Sequence, residues 1–259
     1  MRNLSAMVWI ELRKALRSRM PLWIGLGSLF MPLGVAFLIF VARNPAISQK
    51  LGLISAKANL MAYASTDWNA YLGLFGELIG AGGFILFVLI ISWVFGREFT
   101  DGTLKDLLAV PVPRGSIVLA KFILVAAWSA VMTLVILCAG FVLGAIIQLP
   151  GGAAGVILHG IGVLSVTACL SIVLVLPFAL FASIGRGYLL PIGLAILILM
   201  MTNVVAIAGW GEYFPWAIAG LYIQAKTPLQ PVSFGIVALT GLAGMLATYF
   251  WWKYADQNR

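Results

Sequence analysis

Residue types that drive covalent or acid–base chemistry are sparse in this chain, and they stand apart from one another. His159 is the sole histidine, and Cys138 and Cys169 are the two cysteines. All three fall in long apolar runs, with no disulfide framework and no second ligand at metal-binding spacing. No catalytic residue and no metal site is expected. The cysteines read as small core residues, and a histidine without a carboxylate nearby reads as a packed or interfacial side chain. Glu77 is the one acid inside an apolar run. Where such a run crosses a bilayer, an internal acid is a functional candidate by default. Gly73, Gly76, Gly80 and Gly83 recur around it at three- and four-residue spacing, a small-residue face suited to close helix packing. Glu77 shares that face and is expected to point into the protein; the alternative is a side chain that reaches outer water. Asn203, in another apolar run, is expected to hydrogen-bond across helices. Met200 and Met201 read as packing.

The densest polar chemistry lies between two such runs. Arg97 to Lys121 reads REFTDGTLKDLLAVPVPRGSIVLAK, with four basic residues, three acidic residues and two prolines. Asp101-Gly102 supplies a turn. Thr103 followed by Asp106 fits a capping-box-like helix start. Leu104, Leu107 and Leu108 give the short helix an apolar face, and Pro111 and Pro113 stop it. Ser116 is a fair N-cap for the next long helix. None of the seven lysines sits in a G-x-x-x-x-G-K-[ST] phosphate loop, so ATP is not bound by that route.

The elements that must carry these residues are membrane spans. The chain has 259 residues, is 63% hydrophobic and only 9% charged, against roughly 25% charged in a soluble domain. Mean hydropathy is +1.08. The apolar runs are continuous over about 20 residues rather than alternating in shorter segments, which favours helices over a barrel. Six spans are expected, at about 22–42, 71–96, 117–147, 156–183, 188–209 and 232–252. The third is long enough to tilt or project past the bilayer. No connection is long enough for a separate soluble domain, so residues 1–259 form one transmembrane domain. The first span follows a basic segment and is expected to remain uncleaved.

Residues 2–19 form an amphipathic helix by pattern, with Leu4, Met7, Val8, Leu12 and Leu16 on one side and Arg2, Arg13, Lys14 and Arg17 supplying the polar side. It is expected to lie on the inner surface against anionic lipid. With both termini inside, only Arg43, Lys50, Lys57 and Lys226 of the 16 basic residues fall outside, which decides the orientation by the positive-inside rule. The same clustering at span ends accounts for the net charge of +8. No basic patch with interleaved aromatics argues for nucleic acid. Trp23, Trp93, Tyr188, Trp251 and Trp252 are expected in the inner aromatic belt; Trp68, Tyr71, Trp210 and Tyr213 in the outer one. Residues 43–70 form an outer connection with room for a short interfacial helix.

Taken together, Glu98, Gly102-Thr103, Leu107-Leu108, Pro111, Pro113-Arg114 and Lys121 resemble the cytoplasmic loop of ABC transporter permeases of the type-2 exporter class. Glu11-x-x-Lys14 with Arg17-Ser18 is similar to that family's N-terminal helix. Tyr213-Phe214-Pro215-Trp216 resembles its outer hairpin. Six spans in about 250 residues agree, and the resemblance covers the whole chain. It implies a coupling helix at 103–110 that fits a cleft on a cytoplasmic ATP-binding subunit, with Glu98 and Arg114 as polar contacts and Glu11 and Lys14 on a connecting helix touching the same subunit. It implies a re-entrant hairpin at 210–231, so that Tyr213, Pro215 and Trp216 join Glu77 and Asn203 as translocation-pathway candidates. Two permease subunits, identical or different, would pack with two ATPase subunits that carry ATP and Mg. The chain itself would bind no cofactor.

The expected fold is therefore all-α and integral to the bacterial cytoplasmic membrane, with six spans, an N-terminal interfacial helix and both termini cytoplasmic. The expected function is the non-catalytic transmembrane subunit of an ATP-driven exporter of amphipathic or hydrophobic cargo, an antimicrobial peptide or drug by family analogy. One alternative is a secondary transporter, which would show internal repeats and several intramembrane ion ligands. A second is an intramembrane enzyme, which would cluster His, Glu, Asp or Cys at helix spacing. The sequence displays neither pattern clearly.

Overall fold

The computed structural model describes residues 2–43, 67–224 and 229–254. Among them the chain is helical, with no strand. Helix α1 spans Arg2–Arg17 and α2 spans Met20–Arg43. A continuous helical rod follows: α3 (Trp68–Leu78), a π-helical segment (Ile79–Gly83) and α4 (Phe84–Thr100). The short α5 is Leu104–Ala109 and the long α6 is Arg114–Ile146. Helices α7 (Ala154–Val175) and α8 (Phe178–Ile184) form a broken pair. Then come α9 (Leu189–Ile207), a 3-10 turn (Gly211–Tyr213), α10 (Pro215–Gln224) and α11 (Pro231–Tyr254). Six of these units are long and apolar enough to cross a membrane, and each coincides with an expected span to within a few residues. The expected connection at 43–70 falls almost wholly outside the described residues, as does Lys226.

Apolar length alone sets the spans; their irregularities have specific causes. The glycine-rich sequence Ile79-Gly80-Ala81-Gly82-Gly83 takes the π form within the second span, a bulge that recurs at functional sites. The fourth span breaks after Val175 because Pro177 has no N–H to continue the ladder. Leu176 and Leu180 instead close tight turns onto Val173 O and Pro177 O. Trp216 of α10 donates its indole N–H to the nearby Leu174 O, 3.2 Å away. Helix α11 crosses the break at Gly244, where a β-carbon would stand 2.5 Å from Pro177 Cα. Helix α6 has 33 residues, about 50 Å at 1.5 Å per residue. It overshoots a hydrocarbon core of about 30 Å.

Several expected placements are corrected by packing. Trp68, Tyr71, Trp93 and Trp252 are buried rather than set in interfacial belts. Their polar tips and rings find partners inside. Tyr71 Oη donates to Gly140 O at 2.6 Å and Trp252 Nε1 to Ser183 Oγ at 3.0 Å. Trp93 packs edge-on against Trp128. Cys138 and Cys169 are exposed on the bundle rather than in its core. Met200 and Met201 are likewise exposed. The apolar stripe of α1 packs onto α6, with Met7 and Ala15 buried. Leu16 is 70% exposed, because five residues of helix turn it about 140° away from Glu11, at the centre of that buried face.

Candidate functional site

Two constellations stand out. The first is a cluster of charges where α1, α4 and α6 meet. Glu11 and Lys121 are both 0% exposed, and Arg97 and Glu98 are nearly so. A buried charge is tolerable only when paired and hydrogen-bonded, and here each is. Arg97 Nη2 donates to Glu11 Oε2 at 2.8 Å. Lys121 Nζ donates to Glu11 Oε2 at 3.2 Å, Glu98 Oε1 at 3.0 Å and Val94 O at 3.0 Å. Lys14 Nζ, partly exposed, reaches Glu98 Oε1 at 3.2 Å and Glu11 Oε1 at 3.4 Å. The Arg97 guanidinium also lies 4.5 Å from the centre of the Trp93 ring. Three cations thus hold two carboxylates, and three helices are tied at one point.

The same cluster holds the short helix. Gly102 turns the chain at φ +69°, a conformation that suits glycine. Thr103 Oγ1 then donates to Glu98 Oε2 at 2.6 Å. This corrects the expected capping box: the Thr103 side chain makes no cap on α5, and its backbone, at φ −85° and ψ 0°, lies outside the extended region that an N-cap residue takes. Leu104 and Leu107 face the core; the side chain of Leu108 lies outside the described ones. Exposed on α5 and just after it are Lys105, Asp106, Ala109 and Val110. Ser116 is not a cap either. Helix α6 starts at Arg114 with Pro113 before it, since proline's fixed φ favours a helix start. Arg114 Nη1 donates to Trp252 O at 3.1 Å and Lys253 O at 3.2 Å, tying the start of α6 to the end of α11.

Glu11, Lys14, Glu98 and Thr103 are therefore brought together, and Glu98 is turned inward. Arg97 and Lys121 complete the cluster and were not singled out as site residues. The available signal was Lys121 itself: a lysine inside an apolar helix needs an acid, and Glu11 and Glu98 flank neighbouring spans.

The second constellation is a cavity of about 610 Å³ between the π segment, α9 and α10. Glu77, Asn203 and Trp216 line it together, with Thr202 and Gln224. Tyr213 and Pro215 are not among its lining residues. Glu77 is exposed toward the cavity, and Gln224 Nε2 donates to its Oε1 at 3.3 Å. The glycine face beside Glu77 is docked by α10: a β-carbon at Gly76 would stand 2.8 Å from Ile223 Cγ2. Asn203 is corrected: it donates to Leu199 O of its own helix at 3.1 Å rather than across helices. His159 lines a separate, smaller cavity with Asn69 and Gly73. Among the described residues no three His, Cys, Asp or Glu side chains group as a metal site.

A six-span helical bundle with a tethered amphipathic helix at its polar end narrows the comparison. Residues 7–202 match the family model described as ABC-2 family transporter protein. The chain belongs to the ABC-2 transporter family. The bacitracin transport permease protein BCRB of Bacillus licheniformis is 30% identical over 196 residues, which cover 74% of this chain and 90% of that protein. The chain is thus a multi-pass permease of the cytoplasmic membrane. The family match includes the whole charge cluster and Glu77. It ends one residue before Asn203, so α10 and α11 lie beyond it.

Proposed function

We propose that this permease is the transmembrane subunit of an ATP-driven exporter, with α5 as its coupling helix. Residues 1–259 form its single domain. Two cytoplasmic ATP-binding subunits carry ATP and Mg and perform the hydrolysis; this chain is non-catalytic. It pairs with a second permease subunit, the same or a sibling, and both its termini are cytoplasmic. The cargo is amphipathic or hydrophobic, with peptide antibiotics of the kind named for the Bacillus relative as the first class to test. The segment from Gly211 to Gln224 serves as the outer hairpin, and the cavity bearing Glu77, Asn203 and Trp216 belongs to the cargo path.

The observation that carries this reading is the tie between α5 and the charge cluster. Thr103 joins the short helix to Glu98, and Glu98 shares Lys121 with Glu11. Leu104 and Leu107 pin α5 from below, and Arg114 anchors the chain just after it. A push on the exposed residues Lys105 and Asp106 is therefore delivered to α1, α4 and α6 together. Such rigid transfer is what alternating access requires of a driven subunit. Glu11, Lys14, Glu98, Thr103 and the leucines hold the coupling helix, and its exposed side meets the ATPase.

The test is co-purification of the permease with its cytoplasmic ATP-binding subunit, followed by ATP-dependent peptide transport in inverted vesicles. Deleting residues 103–110, or reversing charge with Lys105→Glu and Asp106→Lys, is expected to abolish both. Undiminished co-purification after the deletion would sink the assignment.

A further inference from the structure

Helix ends meet at the polar end of the bundle and leave an amphipathic recess. Its apolar part is a slot of about 340 Å³ between the starts of α2 and α9 and the later part of α4. Met20 and Trp23 line it from α2, Leu86 and Leu89 from α4, and Ile192 from α9. Its polar part is a cavity of about 400 Å³ walled by α1, the end of α4 and the turn before α5. Trp93 belongs to both. The Arg97 guanidinium lies 4.5 Å from the centre of that ring, so the change from apolar to charged is made across one side chain. From Leu86 at the deep end of the slot to Arg97 in the cavity is about 16 Å along α4, at 1.5 Å per residue. That is close to the depth of one leaflet, half of a hydrocarbon core of about 30 Å. The slot has the reach and the lining for acyl chains, and the cavity stands where a headgroup sits.

The charges of the cavity are unequally engaged. Arg97 is spent on Glu11 and Glu98, at 2.8 and 3.4 Å. Lys14 gives two of its three ammonium protons to the same carboxylates. Ser18 Oγ donates to Ala15 O at 2.8 Å, and Thr103 Oγ1 to Glu98. What remains is Arg17, Asp101 and one Lys14 proton. Arg17 and Asp101 are exposed on the cavity wall, and among the described residues neither side chain has a hydrogen bond or ion pair. A cation and an anion that line one cavity without pairing are complementary to a zwitterion. Arg17 and the spare Lys14 proton suit a phosphate, and Asp101 suits an ammonium group that can donate to it. A headgroup of net negative charge would leave Asp101 uncompensated. We propose that this recess binds one phospholipid with an ethanolamine headgroup, its phosphate at Arg17, its ammonium at Asp101 and an acyl chain in the slot. Pockets between membrane helices at the cytoplasmic side take lipid headgroups in this way. The leaflet is the cytoplasmic one on the topology proposed above; the binding itself needs neither nucleotide nor cargo.

The test uses the complex as purified from membranes and delipidated in a nonionic detergent at pH 7. It is titrated with dioleoyl phosphatidylethanolamine, phosphatidylglycerol and phosphatidylcholine, which share their chains and differ in headgroup. Bound lipid per permease chain is counted by native mass spectrometry. The wild type is expected to bind the ethanolamine lipid saturably and at least about tenfold more tightly than either of the others. Arg17→Gln is expected to weaken that binding about tenfold or more, and Asp101→Asn to bring the ethanolamine and glycerol lipids level. Leu89→Trp narrows the slot from its exposed side without a change of charge and is expected to weaken all three. Arg13 is an exposed cation of the same helix outside the cavity lining, so Arg13→Gln is expected to bind as the wild type does, which separates the site from general attraction between charges. An unchanged melting temperature certifies each variant as folded. Equal or unsaturable binding of the three lipids by the wild type, tightest binding of the glycerol lipid, or wild-type affinity in Arg17→Gln overturns the site. Absent selectivity in a complex that still exports peptide strikes the site alone. Selective binding in a complex that fails to export strikes the transport reading and leaves the site standing.

Discussion

Lys121 has three acceptors around its ammonium, from Glu11, Glu98 and the Val94 carbonyl. That matches its three donors. Removing it leaves Glu11 and Glu98 buried with an incomplete set of cations. Breaking a buried pair in this way costs about 3–5 kcal/mol, so Lys121→Met is expected to lower the melting temperature sharply. Lys14 touches the same two carboxylates but is 37% exposed. Solvent screening reduces such a pair to under about 1 kcal/mol, so Lys14→Met is expected to be mild. Thermal melting of both variants in one detergent checks the contrast; equal losses would contradict the buried role of Lys121. The residues of this cluster were visible in sequence, but their roles were not. Thr103 followed by Asp106 has the spacing of a cap, and only the fold reveals that the hydroxyl donates to Glu98 and caps nothing. Glu11 and Lys121 are 110 residues apart, a distance over which local pattern says nothing.

Among the elements, the spans were legible because about 20 apolar residues can do little else in a chain of this composition. Their irregularities were less so. Pro177 is plain to read, yet proline in a membrane helix can kink or break it, and the outcome depends on who satisfies the freed carbonyls. Here Trp216 does so from a different helix. Burial of the tryptophans at 68, 93 and 252 was missed for a related reason: a belt residue and a core residue at a span end have the same sequence neighbourhood. The α11 crossing offers a controlled test. Lipid gives packed helices no hydrophobic driving force, so close approach must hold them. Gly244→Ala would drive a methyl into Pro177 and is expected to destabilise the permease by about 1–3 kcal/mol. Gly235, on the same helix, faces open space, and Gly235→Ala is expected to be neutral or slightly stabilising. Calibrated denaturant melts of both proteins decide it.

At the scale of the whole molecule, stability and surface charge are separated. Most of the charges that knit the bundle are buried, whereas Arg13, Arg17 and Lys105 are exposed. Salt screens the exposed set and barely reaches the buried one. The melting temperature is therefore expected to move by no more than about 2 °C between 0.05 and 1 M sodium chloride. A steep decline would mean that surface pairs hold the fold. The cavity was half legible at this scale. Glu77, Asn203 and Trp216 were each picked out separately, as polar or aromatic residues in apolar or outer segments. Their meeting depends on α10 lying against the glycine face of α3, which hydropathy does not encode.

The charge cluster also sets an order of manufacture. Glu11 leaves the ribosome 110 residues ahead of Lys121, which at about 5–20 residues per second is on the order of ten seconds. Throughout that interval the N-terminal helix has neither Arg97 nor Lys121 fully in place and must wait, hydrated, at the membrane surface. It locks down only once the third span has been delivered. A ribosome that stalls before then leaves a nascent chain whose first helix is still unfastened and within reach of proteases.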